Sequence, residues 1–163
     1  MSMKGLKIFS IIAVVFAVVA CGQVDASHQH IWDNDTCVEC GASLFVTYAW
    51  RIKSFNGNAV DADLYIKFDN GGTFLMMQRS GSMGYTEYRG TYTMDKENSI
   101  LSGEYSDGES WVCDYNFSFN ESHELVLESI TETPEVSVYE ASDMPNMTEQ
   151  TRCGGGVELK RPL

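Results

Sequence analysis

Two histidines and two cysteines early in the chain have the types and spacing of a metal site. His28-Gln29-His30 is followed by Cys37-Val38-Glu39-Cys40-Gly41. Two thiolates separated by two residues can grip one ion from a tight knuckle, the glycine permits the turn, and upstream imidazoles can complete a tetrahedron. With His28, His30, Cys37 and Cys40 all bound, no position is left for water, so the implied cofactor is one structural zinc ion. Two other readings stay open: a disulfide between Cys37 and Cys40, and unpaired side chains in a loose segment. Haem attachment does not fit, because Gly41 stands where that motif needs histidine, and the strand-helix-strand surroundings of a thioredoxin-like redox pair are absent.

No other motif carries catalysis. The chain has no Gly-x-Ser-x-Gly, His-Glu-x-x-His or phosphate-binding loop, and it reads as a non-enzyme. His123 falls in a turn beside Glu121 and Glu124 and reads as a solvated loop residue. Asp33 with Asp35, and Asp61 with Asp63, are acid pairs outside any calcium-loop pattern. The formal net charge of -12, with no cluster of Lys and Arg among aromatics, excludes a nucleic-acid partner.

The residues ahead of the knuckle say where it is placed. Lys4 and Lys7 precede a nearly unbroken apolar run from Ile8 to Ala20, which meets Cys21-Gly22. A charged start, a short apolar stretch and a small residue before the cut make a secretory signal, since a spanning helix needs about 20 apolar residues. Val18-Val19-Ala20-Cys21 resembles the lipobox, whose cysteine is acylated and becomes the new N-terminus. Residues 1-20 are therefore expected to be a lipoprotein signal peptide, Cys21 the lipidation site, and the membrane a partner through that lipid. The expected location is the bacterial cell envelope, at the outer membrane, because Gly22 is not the aspartate that retains some lipoproteins at the inner one.

Residues 21-43 read as a lipidated tether carrying the His/Cys knuckle, and residues 44-163 as one domain with a C-terminal tail. From Leu44 the texture has a period of two. Leu44, Val46, Tyr48, Trp50 and Ile52 share one parity, with Phe45 the exception. Leu64, Ile66 and Phe68 alternate with Asp63, Tyr65 and Lys67 before the turn Asp69-Asn70-Gly71-Gly72, and Thr73 to Arg79 returns. Tyr88 to Met94, Ile100 to Tyr105, Trp111 to Phe119, Glu124 to Ile130 and Val136 to Glu140 continue the series. Asp143 to Arg152 reads as loop or short helix, and Val157 to Arg161 as a terminal strand able to pair with the first. The expected fold is all-β, an antiparallel up-and-down meander of about eight strands that closes into a barrel and so avoids exposed edges.

Within such a barrel, Trp50, Phe74, Met76, Tyr88, Tyr92, Trp111, Tyr115 and Phe117 are expected to line the interior. Eight strands enclose just enough space for packed side chains or one small ligand. Cys113 and Cys153 form a candidate disulfide in an exported chain, with a buried Cys113 thiol as the alternative.

Leu64-Tyr65-Ile66-Lys67-Phe68 with Gly72-Thr73-Phe74, then Tyr88-Arg89-Gly90-Thr91-Tyr92, then Leu101 to Gly108 before Trp111, and Val138-Tyr139-Glu140 with Met144-Pro145, resemble the lipocalin-like lipoproteins of Bacteroidetes. The resemblance covers roughly residues 44 to 148 and implies a calycin-type barrel with Trp50 in its first strand. The family supplies architecture and little chemistry. Two functions follow as expectations: an anchored module binding a small apolar or amphipathic molecule, or a filled barrel acting as a non-enzymatic accessory to an envelope protein partner.

Overall fold

The computed structural model describes residues 29–79, 84–146 and 163. The described chain opens on a hairpin, β1 (Trp32–Asp33) and β2 (Thr36–Cys37), and a single helical turn, α1 (Leu44–Thr47). Strands follow: β3 (Ala49–Phe55), β4 (Asn58–Ala59), β5 (Asp63–Phe68), β6 (Thr73–Arg79), β7 (Tyr85–Asp95), β8 (Ile100–Tyr105), β9 (Tyr115–Phe119), β10 (Leu125–Ser129) and β11 (Val136–Ser142). Among the described residues no helix is long and apolar enough to cross a membrane.

The strands from β3 onward form one antiparallel sheet in the order β11-β10-β9-β8-β7-β6-β5-β3-β4, and β11 pairs with β3 as well as with β10. Hydrogen-bonded neighbours thus run around a ring of eight strands, with β4 as a short ninth sharing one edge of β3 with β5. Several consecutive strands are joined by short, chemically fitted turns. Asp69 accepts from the backbone N–H groups of Gly71 and Thr73 at 2.8 and 3.0 Å, and Gly72 takes the positive φ of 76° that this turn needs. Asp95 and Asn120 accept from backbone N–H groups in the same way in the turns after β7 and β9.

The alternation places the core. Leu64, Ile66 and Phe68 of β5, Phe74 and Met76 of β6, Leu101 and Tyr105 of β8, Leu125 and Leu127 of β10 and Tyr139 of β11 are all buried in one cluster. Met77 is also buried although its parity is outward.

Three expectations need correction. The first strand does not begin at Leu44. Adjacent Leu44 and Phe45 both belong to the core cluster, whereas neighbouring residues of a strand point to opposite faces, and a helical turn sends both inward. That turn is held by Trp50, whose indole Nε1 donates to the Phe45 carbonyl at 2.9 Å, and by Lys67, whose ammonium donates to the Val46 and Thr47 carbonyls at 2.7 and 2.8 Å. Burial lowers the Lys67 pKa, while the two carbonyls satisfy its ammonium.

Trp111 to Asp114 are not in a strand, although the alternation of buried and exposed side chains holds from Trp111 to Phe119. β8 meets β9 only at Ile100↔Asn116 and Leu101↔Tyr115. The rest of its edge is taken by its own following loop, where Trp111 N donates to Gly103 O at 2.9 Å. Finally, β3 has no edge left for the tail. β11 pairs along it from Ala49 to Phe55, while β5 and β4 occupy the other side. Val157 to Arg161 themselves lie outside the described residues.

Candidate metal centre

The knuckle is built by three nested backbone connections. Trp32 pairs with Cys37 and Asp33 with Thr36, leaving Asn34-Asp35 as a two-residue loop in which Asn34 takes the left-handed φ of 56°. Beyond β2 the chain doubles back: Val38 N donates to Ile31 O at 2.9 Å, and Cys37 N to Ala42 O at 2.8 Å. Gly41, at φ 71°, donates to Cys37 O at 2.9 Å and closes the Cys-x-x-Cys turn. A residue with a Cβ would be strained at that angle, which is why glycine follows the second cysteine.

These connections bring His30, Cys37 and Cys40 together, with one ligand atom of each within 4.8 Å of the others. Cys40 Sγ stands 3.6 Å from His30 Nδ1. An ion about 2.3 Å from sulfur and about 2.05 Å from nitrogen at a tetrahedral angle would hold those two atoms about 3.6 Å apart. The geometry therefore fits a tetrahedral edge, and the mixed sulfur and nitrogen donor set suits zinc. Cys37 and Cys40 are both thiols, without a disulfide. Cys37 is buried, His30 half-buried and Cys40 exposed, so the group sits at the surface with one ligand rooted beneath it. His28, expected as the fourth ligand, lies outside the described residues, as does Cys21.

An aromatic arm docks the hairpin onto the ring. The His30 and Trp32 rings stack with centroids 4.8 Å apart, Trp32 meets Tyr48 edge-on at 6.0 Å, and Tyr48 meets Trp50 edge-on at 6.4 Å. Sequence reasoning passed over Trp32. Its signal was there: two residues after His30 in an extended segment, it shares the histidine's face.

The expected interior residues are brought together. Trp50, Phe74, Met76, Trp111 and Tyr115 are buried, and Tyr88, Tyr92 and Phe117 are partly buried against the same cluster. They pack largely on one another and on Phe45, which stacks on Phe68 at 4.3 Å and approaches Tyr92 and Phe117 at 5.8 Å each. Tyr92 Oη reaches outward to the Asp69 carbonyl at 2.6 Å. Tyr115 and Tyr139 have pKa values raised mainly by burial, Tyr139 to about 12, so both remain phenols near neutral pH. Cys113 is a half-buried thiol that interacts with the Tyr115 hydroxyl, and its expected partner Cys153 lies outside the described residues.

His123 is exposed, at φ 58°, in the turn after β9. It borders an open groove of about 530 Å³ between that turn and Asn34-Asp35 of the hairpin, floored by Phe117 and Phe119. No protein-family model matches the chain, and no curated protein matches it in sequence.

Proposed function

We propose that the chain is a non-enzymatic lipoprotein of the bacterial cell envelope, anchored through Cys21 at the outer membrane. A zinc-fixed hairpin would connect the tether to a lipocalin-like barrel that serves as a rigid interaction module. The observation that carries this reading is the convergence of His30, Cys37 and Cys40 on a hairpin docked to the ring through Trp32. Strands of two residues cannot hold a hairpin in water unaided, so a metal ion supplies what the small segment lacks. Exposed Ile31 and Val38, linked across the hairpin, offer an envelope partner an apolar contact. The mutual packing of the inward aromatic residues supports the accessory role over a carrier with an open calyx.

A second reading, capture of a small amphipathic molecule inside the barrel, is favoured by one observation: Trp111 Nε1 is buried without a hydrogen-bond partner among the described residues. Buried N–H groups are almost always satisfied.

Metal analysis of the purified lipid-free protein under reducing conditions tests the first reading. About one zinc per chain is expected, lost in Cys37→Ser, with the hairpin becoming protease-sensitive while the barrel still unfolds cooperatively. A metal-free protein with both thiols titratable, and a hairpin equally resistant in wild type and variant, would retire it.

A further inference from the structure

Leu163, the last residue of the sequence, is 2% exposed and belongs to the hydrophobic core. Its main-chain oxygen accepts a hydrogen bond from the Tyr105 hydroxyl at 3.1 Å, in a buried setting and across 58 positions of sequence. The surroundings are aromatic. Phe74 lies edge-on to both Tyr105, at 5.7 Å, and Trp111, at 5.3 Å, while Trp111 meets Tyr115 at 6.0 Å. The cluster thus contains three donors: the Tyr105 hydroxyl, used by a leucyl oxygen, the Tyr115 hydroxyl, which interacts with Cys113, and Trp111 Nε1, with no partner among the described residues. Tyr115 and Tyr139 stay protonated near neutrality, and among the described residues the buried polar or charged residue is Ser129, so no basic residue is buried there.

A group with this combination of an apolar wall and a few neutral donors selects a ligand with an aliphatic body and an oxygen acceptor at one end. We infer that this part of the interior is a binding subsite for a carbonyl or carboxyl oxygen borne on a short branched aliphatic group of leucyl size, and that Leu163 fills it as the chain's own ligand. The inference deepens the capture reading and rests on it, while it needs neither the zinc nor the lipid. Capture requires only that molecules enter the interior; the subsite requires that Tyr105 recognise their oxygen.

The test uses the protein with Leu163→Ala, titrated with 4-methylpentanamide, 4-methylpentanoate and, as the comparator lacking oxygen, 2-methylpentane. Tryptophan emission and melting temperature are the readouts. At least one oxygen-bearing probe should bind the variant saturably and about tenfold or more tighter than wild type, because occupancy by Leu163 lowers the competent fraction of the unmutated chain. Adding Tyr105→Phe should weaken that probe roughly fivefold, as expected for one neutral hydrogen bond, and leave 2-methylpentane unchanged. If all three probes bind alike and Tyr105→Phe affects none, the oxygen subsite is overturned while capture stands. If no probe changes emission or melting in either protein, both fall. Should Leu163→Ala not fold, Leu163→Val carries the same comparison with a smaller cavity.

Discussion

Gly103→Ala is a stringent test of how the interior is packed. Gly103 lies in β8 directly beneath the Trp111 indole, and an added Cβ would stand 2.3 Å from Cε2, 2.5 Å from Cζ2 and 2.7 Å from Cδ2. Carbon atoms are at rest about 3.5 Å apart or more, so the ring must withdraw by roughly 1 Å. It has little freedom to do so. Trp111 N is tied to Gly103 O at 2.9 Å, and Phe74 and Tyr115 stand edge-on to the indole. Overpacking of this kind costs about 1–3 kcal/mol, and expulsion of the indole about 3–5 kcal/mol. A loss near 3 kcal/mol lowers Tm by roughly 10–15 °C in a domain of this size. Urea unfolding followed by tryptophan emission gives both the midpoint and, if the ring is expelled, a red-shifted native spectrum. Gly57→Ala is the control: its Cβ meets nothing within 4 Å, yet φ is 77°, so only the left-handed penalty of about 1–2 kcal/mol applies. Gly103→Ala no more costly than Gly57→Ala, with native emission unchanged, would refute the placement of Trp111 on β8.

Three further outcomes are expected. Phe45→Ala should cost about 3–5 kcal/mol, because the side chain is buried and stacked on Phe68, whereas Val46→Ala should cost much less; the opposite ranking in urea midpoints would restore a strand at Leu44. Stability should fall in acid. Asp69 is held below its ordinary pKa of 3.8 by the Thr73 hydroxyl, Asp95 likewise by Asn98, and Glu124 below 4.5 by Lys53. Each contribution is present above those unfolded values and lost as pH falls through the lower folded ones, so Asp69→Asn should flatten the acid limb of a stability-pH curve; an unchanged slope contradicts that role. Cys21→Ser should move the protein out of the detergent phase or leave it uncleaved, and unaltered partitioning would sink the anchoring proposal.

Much of the sheet was legible because strand periodicity is a local property. Parity alone assigned Trp50, Phe74, Met76 and Tyr115 to the buried side, where they lie, and Asp69 to Gly72 announced a hairpin because only certain residues accept its backbone angles. The alternation remained true from Trp111 to Asp114, where no strand forms. Side-chain burial and backbone pairing are separate constraints there, and sequence periodicity reports only the first. Phe45 was visible as a break in parity. That the break is resolved by a helical turn depended on Trp50 and Lys67, which supply donors to its carbonyls from other elements.

Local sequence set the spacing of two cysteines and a glycine, and hence a turn able to present two thiols to one ion. It also determined the strand faces and most turns, all of which depend on residues within a few positions of one another. Contacts between residues far apart in the chain set the rest. The pairing of β11 with β3 returns the sheet upon itself, Trp32 meets Tyr48 beside the core, and the Tyr105 hydroxyl donates to the Leu163 oxygen. The physical reason is that a buried donor or apolar face must find some partner, but its own sequence neighbourhood does not specify which one; the closed set of contacts does.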